Sequence, residues 1–301
     1  MTTTAVAVDA PPCALGESPR WAYGAWWWVD ADAGVLWTAE AGLTSPGGAR
    51  EVRAVLRTGG RLSLAHPAED GRLVVASGTD LLVVDSAGGP PRFWSRIDLP
   101  PGWLVNDGTA DAAGRLWIGS VHPDRASGAG SLHVVEPDGR VRTVATGFTL
   151  SNGMVWRSPE LLVHADSAER CLWEHEVDPA GGRVIRSRRG DTLPPGPGPV
   201  ALPDGIAVDR DGALWVAMYG TGQVWRLRGG AVEAVVEVPT PQVTSVALGG
   251  ADGRDLLVTT AREGMDAAAV AADPNAGRLF HARADRPGSD LPHLRIQIAD
   301  S

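Results

Sequence analysis

Four oxygen-bearing side chains share one register. Glu17, Asp107, Asn152 and Asp204 stand seven or eight residues ahead of a short phrase that recurs along the chain. The same position holds Leu64 ahead of the second copy and, after nine residues, Thr244 ahead of the sixth. If the copies stack around an axis, these positions point at one place. Three carboxylates aimed at one place in a low-dielectric interior repel one another, and their pKa values rise unless a cation neutralises them. Carboxylate and amide oxygens are the donors that hard divalent cations take. The competing reading is turn chemistry, because Asp107-Gly108, Asn152-Gly153 and Asp204-Gly205 are good turn dipeptides. Turn chemistry alone gives Glu17 no reason to share the register.

The recurring phrase is a turn residue followed by an apolar run, as in Gly114-Arg115-Leu116-Trp117-Ile118-Gly119. Its copies start at Gly24, Gly71, Gly114, Pro159, Gly212 and Gly253, at intervals of 47, 43, 45, 53 and 41 residues. A second short strand follows each copy, a more polar third follows where the pattern is clear, and another apolar segment precedes most starts. Four-stranded units with a period of roughly 45 residues are propeller blades. Six copies predict an all-β, six-bladed β-propeller with four antiparallel strands per blade, as a single domain over 1–301. The shared register then sets a metal site at the mouth of the central channel. One short helix is expected near Met265 to Ala272. The Pro194–Pro199 stretch accounts for the longest interval and reads either as a spacer or as a rim segment shaping that mouth.

Composition narrows the chemistry. Every basic residue among the 27 is arginine, so lysine-based Schiff-base or general-base chemistry is excluded. A net charge of -9 argues against a nucleic-acid partner, which wants a basic face. The 2 cysteines, Cys13 and Cys171, form no metal or redox motif, and a reducing cytoplasm is the expected location. No apolar run approaches the roughly 18 residues of a membrane helix, so no membrane partner is expected. There is no Gly-x-Ser-x-Gly elbow. The Gly-His…Trp-Asp signature of interaction propellers is missing too.

The residues in register also carry a resemblance. Leu15-Gly16-Glu17-Ser18-Pro19-Arg20-Trp21, Asn106-Asp107-Gly108 with the phrase from Gly114, Ser151-Asn152-Gly153, Pro203-Asp204-Gly205 and Thr244-Ser245-Val246 follow the order and spacing of the SMP-30/gluconolactonase/regucalcin-like family. The sequence resembles that family over nearly its whole length. The resemblance implies a divalent-metal-dependent hydrolase acting on lactones. It implies Glu17, Asn152 and Asp204 as metal ligands and Asn106 as the substrate-side asparagine. The register count prefers Asp107, one residue later, and a slip of one flips the face of a strand. Asn106 is therefore read as the pocket residue and Asp107 as a supporting carboxylate.

Two departures bear on the substrate. The arginine that the family carries two residues before its asparagine is Leu104 here, flanked by Trp103 and Val105. The acidic residue of the following loop finds its nearest candidate in Asp124, next to His122 and Pro123. Trp103, Leu104, Asn106, His122 and Asp124 are thus the expected substrate-binding set, and they describe a substrate less polar than a sugar lactone. The expected cofactor is one divalent cation, Ca²⁺ first, with Mg²⁺, Mn²⁺, Zn²⁺ and Fe²⁺ as alternatives. Asp204 is the expected catalytic residue, both ligand and acceptor of the water's proton. The partner is a small molecule, and the oligomeric state is left open. Two alternatives stay beside lactone hydrolysis: a metal-dependent cyclisation or isomerisation in a biosynthetic pathway, and a metal-binding propeller without catalysis. Trp28, Trp117 and Trp215 are expected to pack between blades, and His133, His164 and His175 to be packed or on the surface.

Overall fold

The computed structural model describes residues 2–44, 51–197 and 200–298. Its six sheets stand around one axis, and in each the strands that follow one another along the chain pair antiparallel, outward from the axis. Blade 1 comprises Gly16–Ala22, Ala25–Asp30, Val35–Glu40 and Val52–Arg57. Blade 2 comprises Leu62–Pro67, Arg72–Ser77, Asp80–Asp85 and Arg92–Arg96. Blade 3 is Leu104–Ala110, Leu116–Val121, Gly130–Val135 and Val141–Phe148. Blade 4 is Ser151–Ser158, Leu161–Asp166, Cys171–Asp178 and Arg183–Thr192. Blade 5 is Leu202–Val208, Leu214–Tyr219, Gln223–Arg228 and Ala231–Glu237. Blade 6 takes Val243–Gly249, Asp255–Thr260 and Phe280–Arg283 from this end of the chain.

The recurring phrase is the second strand of each blade. Its middle is a continuous apolar run because adjacent blades cover both of its faces. Leu73, Val74, Val75 and Ala76 of blade 2 are all fully buried. Trp28, Trp117 and Trp215 are buried in clusters that join neighbouring blades. Trp117 meets Trp156 of the next blade edge to face, with centroids 5.3 Å apart. The first strands line the channel and pack against one another around the axis.

The ring closes with a segment that carries no repeat signal. Val6–Ala7 pairs antiparallel with Phe280–Arg283 as the fourth strand of blade 6. Thr2–Thr4 adds a fifth, parallel strand to blade 5. The N-terminal stretch thus ties the last two blades together. Where blades 6 and 1 meet, Thr244 Oγ1 donates to the Gly16 carbonyl at 2.5 Å. At the opposite end of the channel the C-terminal segment runs beneath blades 5, 2 and 3. Ser289 N–H bonds to the Val208 carbonyl, Leu294 N–H to Pro67 and Arg295 N–H to Gly114, at 3.0, 2.9 and 2.9 Å.

The short helix is Ala267–Ala272. It starts beyond Met265 because Asp266 takes the N-cap, its carboxylate accepting from the Ala269 N–H at 2.8 Å. Of the Pro194–Pro199 stretch, Gly198 and Pro199 lie outside the described residues. Among the described residues no helix is long and apolar enough to cross a membrane.

Candidate metal centre

Every channel-lining strand breaks its ladder near the start. The register shifts between Glu17 and Arg20, Leu62 and Leu64, Val105 and Gly108, Ser151 and Met154, Pro203 and Ile206, and Val243 and Ser245. A bulge bends the strand and re-aims its side chains. The dipeptides Asp107-Gly108, Asn152-Gly153 and Asp204-Gly205 therefore lie in bulged strands, not in turns. Their glycines serve close approach around the axis. A Cβ on Gly153 would stand 2.5 Å from the Asp204 carbonyl oxygen, and one on Gly205 would stand 2.0 Å from Ser245 Oγ.

The bulges bring Glu17, Asn152 and Asp204 to one small cavity of about 100 Å³. All three are largely buried. The Asn152 amide donates from Nδ2 to Ser167 Oγ at 3.1 Å, which fixes its plane. Glu17 Oε2 accepts from the Ser18 N–H at 3.3 Å. Ser18 holds φ at +51° and is locked to blade 2 through Oγ, which accepts from the Ala65 N–H at 3.0 Å and donates to its carbonyl at 3.2 Å.

Electrostatics distinguish these groups from an ordinary polar cluster. Burial, then the charge of Asp107, pushes the Glu17 carboxyl up to about 8. Burial, then the charges of Glu17, Asp107 and Glu263, pushes Asp204 well above the usual carboxylate range. Asp204 Oδ1 is buried without a hydrogen-bond partner. A buried oxygen of this kind carries the full desolvation penalty unless something outside the chain takes it up. The donor set is all oxygen: two carboxylates and an amide. That chemistry fits a hard divalent cation. Among the described residues no three His, Cys, Asp or Glu side chains form a ligand cluster by themselves, so Asn152 is needed to complete a set of three.

Asp107 lies beneath this group. Its Oδ1 accepts from Arg20 Nη2 at 3.3 Å and from the Gly108 N–H at 2.7 Å. Asn106, on the same bulge, lines the cavity, and its Nδ2 donates to the Ser151 carbonyl at 3.0 Å. Both residues reach toward the axis because strict alternation fails inside a bulge.

Two further carboxylates hold the backbone just ahead of the candidate ligands. Asp30 accepts from the N–H groups of Ala14 and Leu15 at 3.0 and 3.1 Å. Asp166 accepts from Thr149 and Leu150 at 2.8 and 3.0 Å. Each clamp ends two residues before a ligand, Glu17 in blade 1 and Asn152 in blade 4.

The remaining expected substrate residues gather on the rim of blade 3. Trp103 and His122 meet edge to face at 5.1 Å, Leu104 pairs with Val121, and the Asp124 N–H bonds to His122 Nδ1 at 3.1 Å. None of these four lines the cavity. Its walls carry instead Arg61, Arg125, Ser167, Tyr219 and Glu263 beside the residues already named. Sequence reasoning did not select them. They sit in loops and at strand ends, outside the blade register, although Arg125 directly follows Asp124. His133, His164 and His175 are buried and hydrogen-bonded to Ser120, Ser151 and Ser187 at 2.9, 2.8 and 2.8 Å.

Comparison with known proteins sets this architecture among relatives. The chain is 33% identical over 312 residues to pentonolactonase XacC of Haloferax volcanii, covering 99% of each chain. It is 29% identical to 6-deoxy-6-sulfogluconolactonase of Pseudomonas putida, covering 97% of this chain and 99% of the relative. The crystal structure of a calcium-binding regucalcin from Agrobacterium tumefaciens superposes with a TM-score of 0.86 at 28% identity, covering 98% of this chain and 99% of that one. The model of the SMP-30/Gluconolactonase/LRE-like region matches residues 15–262, and the chain belongs to that family.

Proposed function

We propose that the protein is a divalent-metal-dependent lactonase whose cation is held by Glu17, Asn152 and Asp204. The observation that carries this reading is the unpartnered Asp204 Oδ1, buried beside Glu17 under mutual repulsion. The relatives named as lactonases support hydrolysis of a lactone. The oxygen-only donor set supports calcium, as does the regucalcin described as calcium-binding.

When bound, the cation supplies a Lewis acid that polarises the lactone carbonyl. The side chains do the rest. Asn106, its amide plane fixed by the Ser151 carbonyl, orients the lactone ring. Asp204 takes a proton from the attacking water. The water oxygen bonds to the acyl carbon, the ring carbon–oxygen bond breaks, and the released alkoxide takes up the proton held by Asp204 to give the hydroxy acid. The expectation of a less polar substrate rests on Trp103 and Leu104, which stand outside the cavity lining. The lining itself carries Arg61, Asn106, Arg125, Tyr219 and Glu263, and these suit a hydroxylated, sugar-type lactone.

The test strips divalent cations and restores them singly while a panel of sugar and aliphatic lactones is assayed. Turnover that appears only with a restored cation supports the proposal. Turnover that survives stripping, or none with any cation, overturns it. Asp204→Asn provides a second reading. The wild type gains stability on cation binding, about 2.7 kcal/mol at a hundredfold excess over Kd. The variant is expected to lose that gain while its cation-free form melts no lower than wild type, because a neutral amide replaces a buried carboxyl that Glu17 repels.

A further inference from the structure

One ion pair spans the mouth of the cavity. Arg125 sits in the loop after Leu116–Val121 of blade 3, at φ +50°, its N–H bonded to the His122 carbonyl at 2.9 Å. Its Nη2 stands 3.6 Å from Oε1 of Glu263, which follows Asp255–Thr260 of blade 6. Blades 3 and 6 face each other across a six-bladed ring, so the pair reaches over the channel. Glu263 is held from two sides. Tyr219 Oη donates to its Oε2 at 3.2 Å, and Gln242 brackets its backbone, each contact at 2.8 Å.

The two partners are unequal. Glu263 is fixed by blade 5 and by Gln242, whereas Arg125 makes a single long contact and keeps 58% of its side chain exposed. At that distance and exposure the pair contributes little, and the guanidinium fork keeps further donors for a planar anion. The Glu263 carboxylate marks where an anionic group sits against it. The charge balance agrees. Glu17, Asp204 and Glu263 bring three negative charges to the lining and Arg61 and Arg125 two positive ones. A divalent cation leaves the cavity positive by one, and Arg125 is its most exposed cationic group.

We propose that Arg125 is a specificity residue that takes a carboxylate carried by the lactone at the end remote from its ring carbonyl, displacing Glu263. The proposal rests on the lactonase reading and narrows it to an acidic sugar lactone.

The test compares D-glucono-1,4-lactone with D-glucaro-1,4-lactone, which differ in a hydroxymethyl against a carboxylate at C6. The wild type should favour the charged lactone in kcat/KM. Arg125→Gln should lower kcat/KM for the charged lactone at least about tenfold more than for the neutral one, through KM, the size of one lost charged hydrogen bond. Glu263→Gln should lower KM for the charged lactone by freeing Arg125. Equal effects of Arg125→Gln on both lactones overturn the proposal. If neither lactone is turned over, the lactonase reading fails, and calorimetric titration of the charged lactone still decides about Arg125. Binding weakened at least tenfold by Arg125→Gln supports it. Unchanged affinity, or no binding to the wild type, overturns it.

Discussion

Arg20 and Asp107 meet inside the channel, directly beneath the candidate ligands, with Nη2 3.3 Å from Oδ1 and both side chains buried. Arg20 also donates to the Gly108 and Pro19 carbonyls at 3.1 and 2.9 Å. The pair neutralises the third carboxylate of the register from below. Glu17 and Asp204 are left as the unpaired charges at the cavity, and Arg20 itself eases the ionisation of Glu17.

Replacing Arg20 should therefore separate stability from cation affinity. Arg20→Met breaks a buried pair and leaves Asp107 uncompensated, which costs about 3–5 kcal/mol. The same change removes a positive charge close to the candidate site and should tighten cation binding about three- to tenfold. Arg20→Lys keeps the charge and should hold the Kd within about twofold. Urea unfolding and calorimetric titration with calcium read both quantities. A Kd that Arg20→Met leaves unchanged or weakens would remove Arg20 from the electrostatics of the site.

Asp30 and Asp166 should act on the site through the backbone. Asp166→Ala strips the partners from the Thr149 and Leu150 N–H groups, and each buried donor left unpaired costs about 1–3 kcal/mol. Residues that orient ligands typically cost 10–100-fold in metal affinity when changed, and the same range is expected here. Asp111 is the control. It accepts from the Ala113 and Arg115 N–H groups and from Trp117 Nε1, at 2.9, 3.0 and 2.9 Å, at the far end of blade 3. Asp111→Ala should lower the Tm without moving the Kd. A matching loss of affinity in both variants would mean that the clamps support the fold alone.

What could be read from the chain follows from its repetition. Glu17, Asn152 and Asp204 recur in phase with the second strands, so rotation about the axis brings them together whatever the loops do. Counting picked Asp107 over Asn106, the one that lines the cavity, because both lie in a bulge where the period of two is lost. Arg125, Tyr219 and Glu263 escaped because rim positions belong to no repeat, and Arg125 meets Glu263 only through the curvature of the ring. The closing strand Val6–Ala7 spans two residues, too few to set up a period. The reading from Leu104 failed to foresee the polar lining for a similar reason. It followed one position, while the wall is assembled from loops of several blades.

The buried histidines should make the fold acid-sensitive in a defined window. Burial alone lowers His133 and His175 from 6.5 to about 4, and each is already hydrogen-bonded as a neutral ring. Between these values the unfolded chain binds more protons than the native one, so the stability that these residues contribute is present above about pH 6.5 and lost as the pH falls toward 4. The slope is up to about 1.4 kcal/mol per pH unit for each histidine. Glu17 works in the opposite sense. Its raised pKa makes the cation-free native state bind more protons between 4.5 and about 8, so its contribution grows as the pH falls. Comparing wild type with His133→Gln cancels the Glu17 contribution. The difference in unfolding free energy, measured by urea at half-unit steps from pH 7.5 to 4, should shift in favour of the variant as the pH drops. A difference that stays constant across the window would show that His133 carries no proton linkage.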